Sequence, residues 1–143
     1  MSSSADAAHR TVPNETLPPA SPAAVVRRTF EAIFAGDLAV IDEHPGLAAL
    51  RVAFPGTRAA FPDFSAELVQ QLVDGGRVAS HWVFRGTHRG DLYGLAPTGV
   101  PVQFQNLSIC RVEDGRIVQY NSEIGFLSVL KQLGALPLGP HRP

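Results

Sequence analysis

Arg85–Ile117 reads RGTHRGDLYGLAPTGVPVQFQNLSICRVEDGRI, and its punctuation decides the architecture. Val102, Phe104, Asn106, Ser108, Cys110 and Val112 alternate with Gln103, Gln105, Leu107, Ile109 and Arg111. That period of two marks a strand with one apolar face. Asp114-Gly115 supplies the positive backbone angles of a two-residue hairpin, so Arg116 to Ile124 should return antiparallel. Upstream, Arg77 to Thr87 alternates in the same way, with Val78, Ser80, Trp82 and Phe84 on its apolar side.

Phe64 to Val73 forms a fourth strand candidate, closed by the turn residues Asp74-Gly75-Gly76. Before it the pattern is helical. Ser21 can cap and Pro22 can occupy the first turn of a helix carrying Val26, Phe30, Ile33 and Phe34, which Gly36 stops. Asp37 caps a short helix from Leu38 to Glu43, and a third helical stretch from Gly46 to Phe61 should kink or break at Pro55-Gly56. Phe126 to Leu133 reads as a closing helix. Helices followed by antiparallel strands give an α+β fold, with the helices on one face of the sheet. Residues 1–20, rich in Ser, Ala and Pro, read as a disordered leader. Residues 21–136 then form one domain and 137–143 a loose tail.

The bulk composition narrows the functional classes. A chain of 143 residues with 45% hydrophobic and 17% charged content is one globular domain's worth. A formal net charge of -1 suggests neither a nucleic-acid partner nor an electrostatic hold on a membrane. Cys110 is the single cysteine, which fits a reducing cytoplasmic interior, and no Cys/His spacing suggests a metal. No phosphate-binding loop, signal peptide or spanning segment is evident, so no cofactor is expected.

Strand alternation sets the chemistry of the inner face. Val118, Tyr120, Ser122 and Ile124 are expected to face inward from the last strand, beside Asn106 and Ser108. The face is then apolar, dotted with neutral hydrogen-bonding groups, with Trp82, Phe84 and Phe104 as walls. A buried hydroxyl or amide left unpaired costs about 1–3 kcal/mol. Such groups on one face therefore imply partners, whether a ligand, trapped water or one another. A single bulge would instead turn Glu123 inward. His81 and His88 read as outer-face or loop residues.

The order Phe61-Pro62-Asp63, Trp82, Arg85-Gly86-Thr87-His88 and Pro97-Thr98-Gly99, followed by the Asp-Gly hairpin, resembles the SnoaL-like polyketide cyclases of the nuclear-transport-factor-2-like superfamily. The resemblance covers about residues 23–133. It implies a curved antiparallel sheet wrapped around the N-terminal helices, a cone-shaped barrel with one deep apolar pocket. Phe30 and Phe34 would help line that pocket, and Asp91 and Tyr93 belong to a loop that could cover it. In typical members the last strand reads Glu-His-Trp-Asp, and its Asp is the proposed acid–base group. Here the matching residues are Gln119-Tyr120-Asn121-Ser122.

Three functional readings follow. The first is a polyketide-tailoring cyclase that holds a flexible polyene or polyketide chain folded, with Tyr120, Asn106 and Ser122 polarising a carbonyl. Cycloaddition suits it, since no proton need move. The second is an acid–base aldol-type cyclase using His44, at the pocket mouth in the family, or Glu123. The third is a non-catalytic small-molecule binding protein. Outer-face Val83, Leu107 and Ile109 are expected to pair with a second subunit as a homodimer.

Overall fold

A computed structural model of the chain describes residues 20–135. The expected leader, apart from Ala20, and the expected tail lie outside the described residues. Helix α1 (Pro22–Phe34) begins where Ser21 Oγ accepts from the Ala24 amide at 3.2 Å, with Pro22 in the first turn. It buries Val25, Val26, Thr29, Phe30 and Ile33, one helical stripe, and ends at Gly36, whose φ of 105° needs a residue without Cβ. Two tight 3-10 turns, Leu38–Glu43 and Pro45–Leu47, lead to α2 (Leu50–Ala60).

The expected break at Pro55 does not occur: α2 runs through it. A proline inside a helix removes one backbone bond and crowds the preceding turn. The neighbouring Phe54 offsets that loss by burial, its ring 5.8 Å from Phe34 and 5.4 Å from Phe64.

Strands β1 (Ser65–Asp74), β2 (Arg77–Thr87), β3 (Pro101–Glu113) and β4 (Arg116–Ile124) form one antiparallel sheet in that order, and α3 (Phe126–Gln132) follows. The Asp114-Gly115 turn has both φ values positive, 52° and 75°, as its residues require. On β2 and β3 the observed burial alternates as the sequence implies. The sheet is open and curved rather than a closed cone. Four strands are too few to close around side chains, so the helices cover the inner face instead.

Two bulges bend this sheet. One, at Val69, turns Gln71 inward, where its Nε2 donates to Ala23 O at 3.1 Å and to Ser80 Oγ at 3.3 Å. The other lies at Val118: Val112 pairs with Ile117, but Arg111 pairs with Gln119. Its consequence differs from the one expected of a bulge. Ile117 takes the fully buried place assigned to Val118, while Tyr120 and Ser122 stay opposite Cys110 and Ser108, on the inner face. Glu123 remains outside.

The turn around Gly46 lies directly on this bulge. A Cβ at Gly46 would stand 2.5 Å from Gln119 N and 2.6 Å from Val118 C, both backbone atoms that cannot swing aside. Gly46→Ala should therefore lower folding stability by about 1–3 kcal/mol, measured by urea denaturation. Gly56→Ala, which meets open space within α2, should instead be neutral or stabilising.

Candidate functional site

The helices and the inner sheet face enclose a cavity of about 490 Å³. Phe30, Ile33 and Phe34 of α1 form one wall, and Leu50, Phe54 and Thr57 of α2 another. The sheet contributes Phe84, Phe104, Asn106 and Tyr120; Leu92 and Tyr93 of the β2–β3 loop and Phe126 of α3 complete the enclosure. The aromatic rings form a continuous network. Phe34 meets Trp82 edge-on at 5.0 Å and Phe84 at 5.1 Å, and Phe84 meets Phe104 at 5.5 Å. Edge-to-face contacts of this kind hold the walls rigid as well as apolar.

Tyr120 is the polar centre of the sheet wall. Its ring packs 5.2 Å from Phe30, and it lines the cavity together with Asn106. Burial, the largest cause, pushes its pKa up against the opposing pull of the polar Ser122 and Asn106 side chains, so the phenol is protonated at neutral pH and can donate. Asn106 is buried beside it. Of the expected site residues, the cavity wall thus contains Phe30, Phe34, Phe84, Tyr93, Phe104, Asn106 and Tyr120.

The others stand elsewhere. Trp82 is buried behind the wall, in contact with Phe34. Ser108 pairs across the strands with Ser122, and neither lines the cavity. Glu123 lies opposite Leu107 and lines a groove on the outer face, so it cannot serve the cavity.

His44 also leaves the candidate set. It is buried, and its Nδ1 accepts the Ile117 backbone N–H at 2.9 Å. The ring proton then resides on Nε2, which donates to Thr29 Oγ1 at 3.3 Å. Both nitrogens are committed to joining α1 to β4, so His44 is a structural histidine rather than a base at the mouth. His88, read as an outer-face or loop residue, lies in the loop after β2 and is fully buried. Its Nδ1 accepts the Thr98 N–H at 3.2 Å and lies 3.0 Å from Thr98 Oγ1, tying the Gly-Thr-His strand end to the Pro-Thr-Gly loop.

Asp91 is, among the described residues, the one cavity-lining residue with a formal charge, and it belongs to no strand, so alternation carries no signal for it. Among the described residues, no cluster of three His, Cys, Asp or Glu side chains could hold a metal, and no helix is long and apolar enough to cross a membrane.

Residues 9–133 match the family model described as SnoaL-like polyketide cyclase. The chain belongs to that family. Among solved structures this SnoaL-like protein is similar to IdmH of Streptomyces antibioticus, a candidate polyketide cyclase, with 30% identity and a TM-score of 0.71 over 80% of this chain and 99% of that one. AclR of Streptomyces galilaeus, a candidate hydroxylase, shares 27% identity with a TM-score of 0.74, covering 87% and 91%. TsrD of Streptomyces laurentii shares 27% with a TM-score of 0.68, covering 79% and 97%. No curated protein matches the chain.

The structural assignment of His44 has a pH signature. Burial, the largest cause, lowers its pKa from the ordinary histidine value, and Arg116 and Arg28 add to this against the opposing pull of Glu43. A depressed folded-state pKa gives stability that is complete above the unfolded value, about 6.5, and is lost as pH falls towards the folded one. Thermal melts should show stability declining below about pH 6.5. His44→Gln should be less stable at neutral pH and should lack that decline; an unchanged pH dependence would place the histidine outside the core.

Proposed function

We propose that this protein is a cofactor-independent cyclase of natural-product biosynthesis that closes a carbocyclic ring in a bound polyene or polyketide chain. The observation that carries this reading is the composition of the cavity: aromatic walls, with Tyr120 and Asn106 as the polar groups on the sheet side. A flexible chain loses its extended conformers in such a space, and its reacting carbons are held in near-attack geometry. A preorganised phenol and amide then stabilise charge developing on a carbonyl of the chain, without reorganising in the transition state.

Cycloaddition suits these walls better than aldol closure does. An aldol step needs a proton acceptor beside the reacting carbon, with a pKa near the working pH. His44 and Glu123 are both directed elsewhere, and Ser122 cannot take that role. Similarity to IdmH, itself described as a candidate polyketide cyclase, supports the substrate class. The reaction belongs in the cytoplasm, where a buried, unpaired Cys110 is at home.

Turnover of the linear chain made by a neighbouring polyketide assembly line tests this. Tyr120→Phe and Asn106→Ala should each lower kcat by about 10²-fold, the usual cost of one such donor. The rate should be flat between about pH 6 and 8. A sigmoidal profile in that range would indicate a proton carrier, and tight binding without conversion would identify a binding protein.

The outer sheet face is part of the same proposal. Leu72, Leu107 and Ile109 remain more than half exposed there, along a groove of about 540 Å³. A second copy laid on this face would bury them, and a chain of net charge -1 adds little repulsion. Light scattering should give a dimer mass, and Leu107→Glu with Ile109→Glu should give a monomer; a monomeric wild type would overturn the assignment.

A further inference from the structure

The cavity carries one charge, and it is held in place with some care. Among the residues that line it, Asp91 alone has an ionisable carboxylate, and it is exposed, which places it at the mouth rather than among the buried rings. Gly90, immediately before it, lies against the end of α2: the Arg89 and Gly90 amides both donate to Ala60 O, at 3.0 and 3.1 Å. A Cβ at residue 90 would stand 2.0 Å from Ala59 O, so the chain approaches the helix closely there. Leu92, immediately after, is buried.

Asp91 Oδ2 accepts the Gly94 N–H at 3.0 Å, closing a turn in which Leu92 and Leu95 bridge and Tyr93 and Gly94 take φ values of 49° and 88°. The turn also carries the Tyr93 ring, which meets Phe126 edge-on at 5.3 Å. Among the described residues, Asp91 is in none of the three ion pairs. One carboxylate oxygen thus builds the turn, and the other makes no hydrogen bond or ion pair among the described residues.

We propose that Asp91 determines which guests the cavity accepts: it favours chains whose outward end is cationic or donates a hydrogen bond, and rejects chains ending in a carboxylate. The reasoning deepens the cyclase proposal and rests on it. A charged end cannot follow the apolar body of a guest among the phenylalanine rings without losing its hydration, so it stays at the mouth. There it meets a fixed negative charge a few ångströms away, where solvent screening is incomplete. The step that supplies the substrate must accordingly leave its end as an alcohol, primary amide or amine, not as a free acid.

Retinylamine, retinol and retinoic acid share one polyene body and differ in charge at one end, so they isolate this effect without the natural substrate. Their binding can be followed by quenching of Trp82, the single tryptophan, which contacts the cavity-lining Phe34. At low ionic strength and neutral pH the wild type should bind retinylamine about five- to tenfold more tightly than retinoic acid. Asp91→Asn should remove most of that difference by strengthening retinoic acid and weakening retinylamine, while Asp91→Glu should keep the order. Asp74→Asn, which deletes a like charge at the other end of β2, should leave it unchanged, and about 0.5 M salt should shrink it in the wild type.

The same retinoid order in Asp91→Asn as in the wild type, at an unchanged melting temperature, would overturn the assignment and leave the cyclase reading standing. Failure of all three retinoids to quench Trp82 would overturn both, because the cavity would then take no polyene. If Asp91→Asn melts lower through loss of the turn, Asp91→Glu and the salt series still decide.

Discussion

The hydrogen bond from the Ile117 N–H to His44 Nδ1 governs the geometry of the whole pocket, because it fixes where β4 bulges. A strand's side chains alternate faces, so one added residue reverses every position on one side of it. Here the added residue is Val118, at the start of the strand, where Gly46 lies against the backbone and His44 receives an amide. Everything after it keeps register with β3, and Tyr120 stays on the inner face. Burying an imidazole with both nitrogens engaged costs less than burying one unpaired. The residue that resembled a base is in this way what holds the phenol in position.

The polar groups of the pocket are arranged by the same logic. Tyr120, Asn106 and Ser122 are all neutral, so the inner sheet face carries hydrogen-bonding capacity without an ion. A carboxylate on this wall would have to be desolvated or find a cation, and among the described residues no cation lines the cavity. Neutral polarity deep inside and a single negative charge at the entrance follow from one rule. Charge is tolerated where water still reaches it, and dipoles suffice where it does not.

Much of this fold was legible in the residues. The alternation of β2 and β3, the Asp114-Gly115 turn and the Ser21 cap each rest on local chemistry that needs no partner to express itself. The misreadings all concern residues whose roles depend on a distant element. Pro55 is carried inside α2 because Phe54 reaches Phe34 and Phe64, contacts that no helix propensity contains. His44 and His88 are buried by elements 73 and 10 residues away, Ile117 and Thr98. The inner face of the site was visible as a period of two; Asp91, on a loop, obeys no period.

The motifs that reveal the family prove to be structural joints. Asp63 accepts the Thr87 amide at 2.7 Å and the Thr87 hydroxyl at 2.8 Å, so Phe-Pro-Asp and Gly-Thr-His are two halves of one clasp. These bonds, the backbone one foremost, hold the Asp63 carboxyl below its ordinary pKa. His88 joins the same strand end to Thr98, and the Phe61 ring lies on Gly86, where any Cβ would collide with it. Each motif thus fastens the β2–β3 loop to the end of α2, and that fastening sets where Asp91 stands. Recognition motifs of this kind report the frame and say little about the reaction. On the proposed reading the chemistry is carried by what the frame presents, Tyr120 and Asn106 on the sheet and Asp91 on the loop, and none of these three belongs to the clasp.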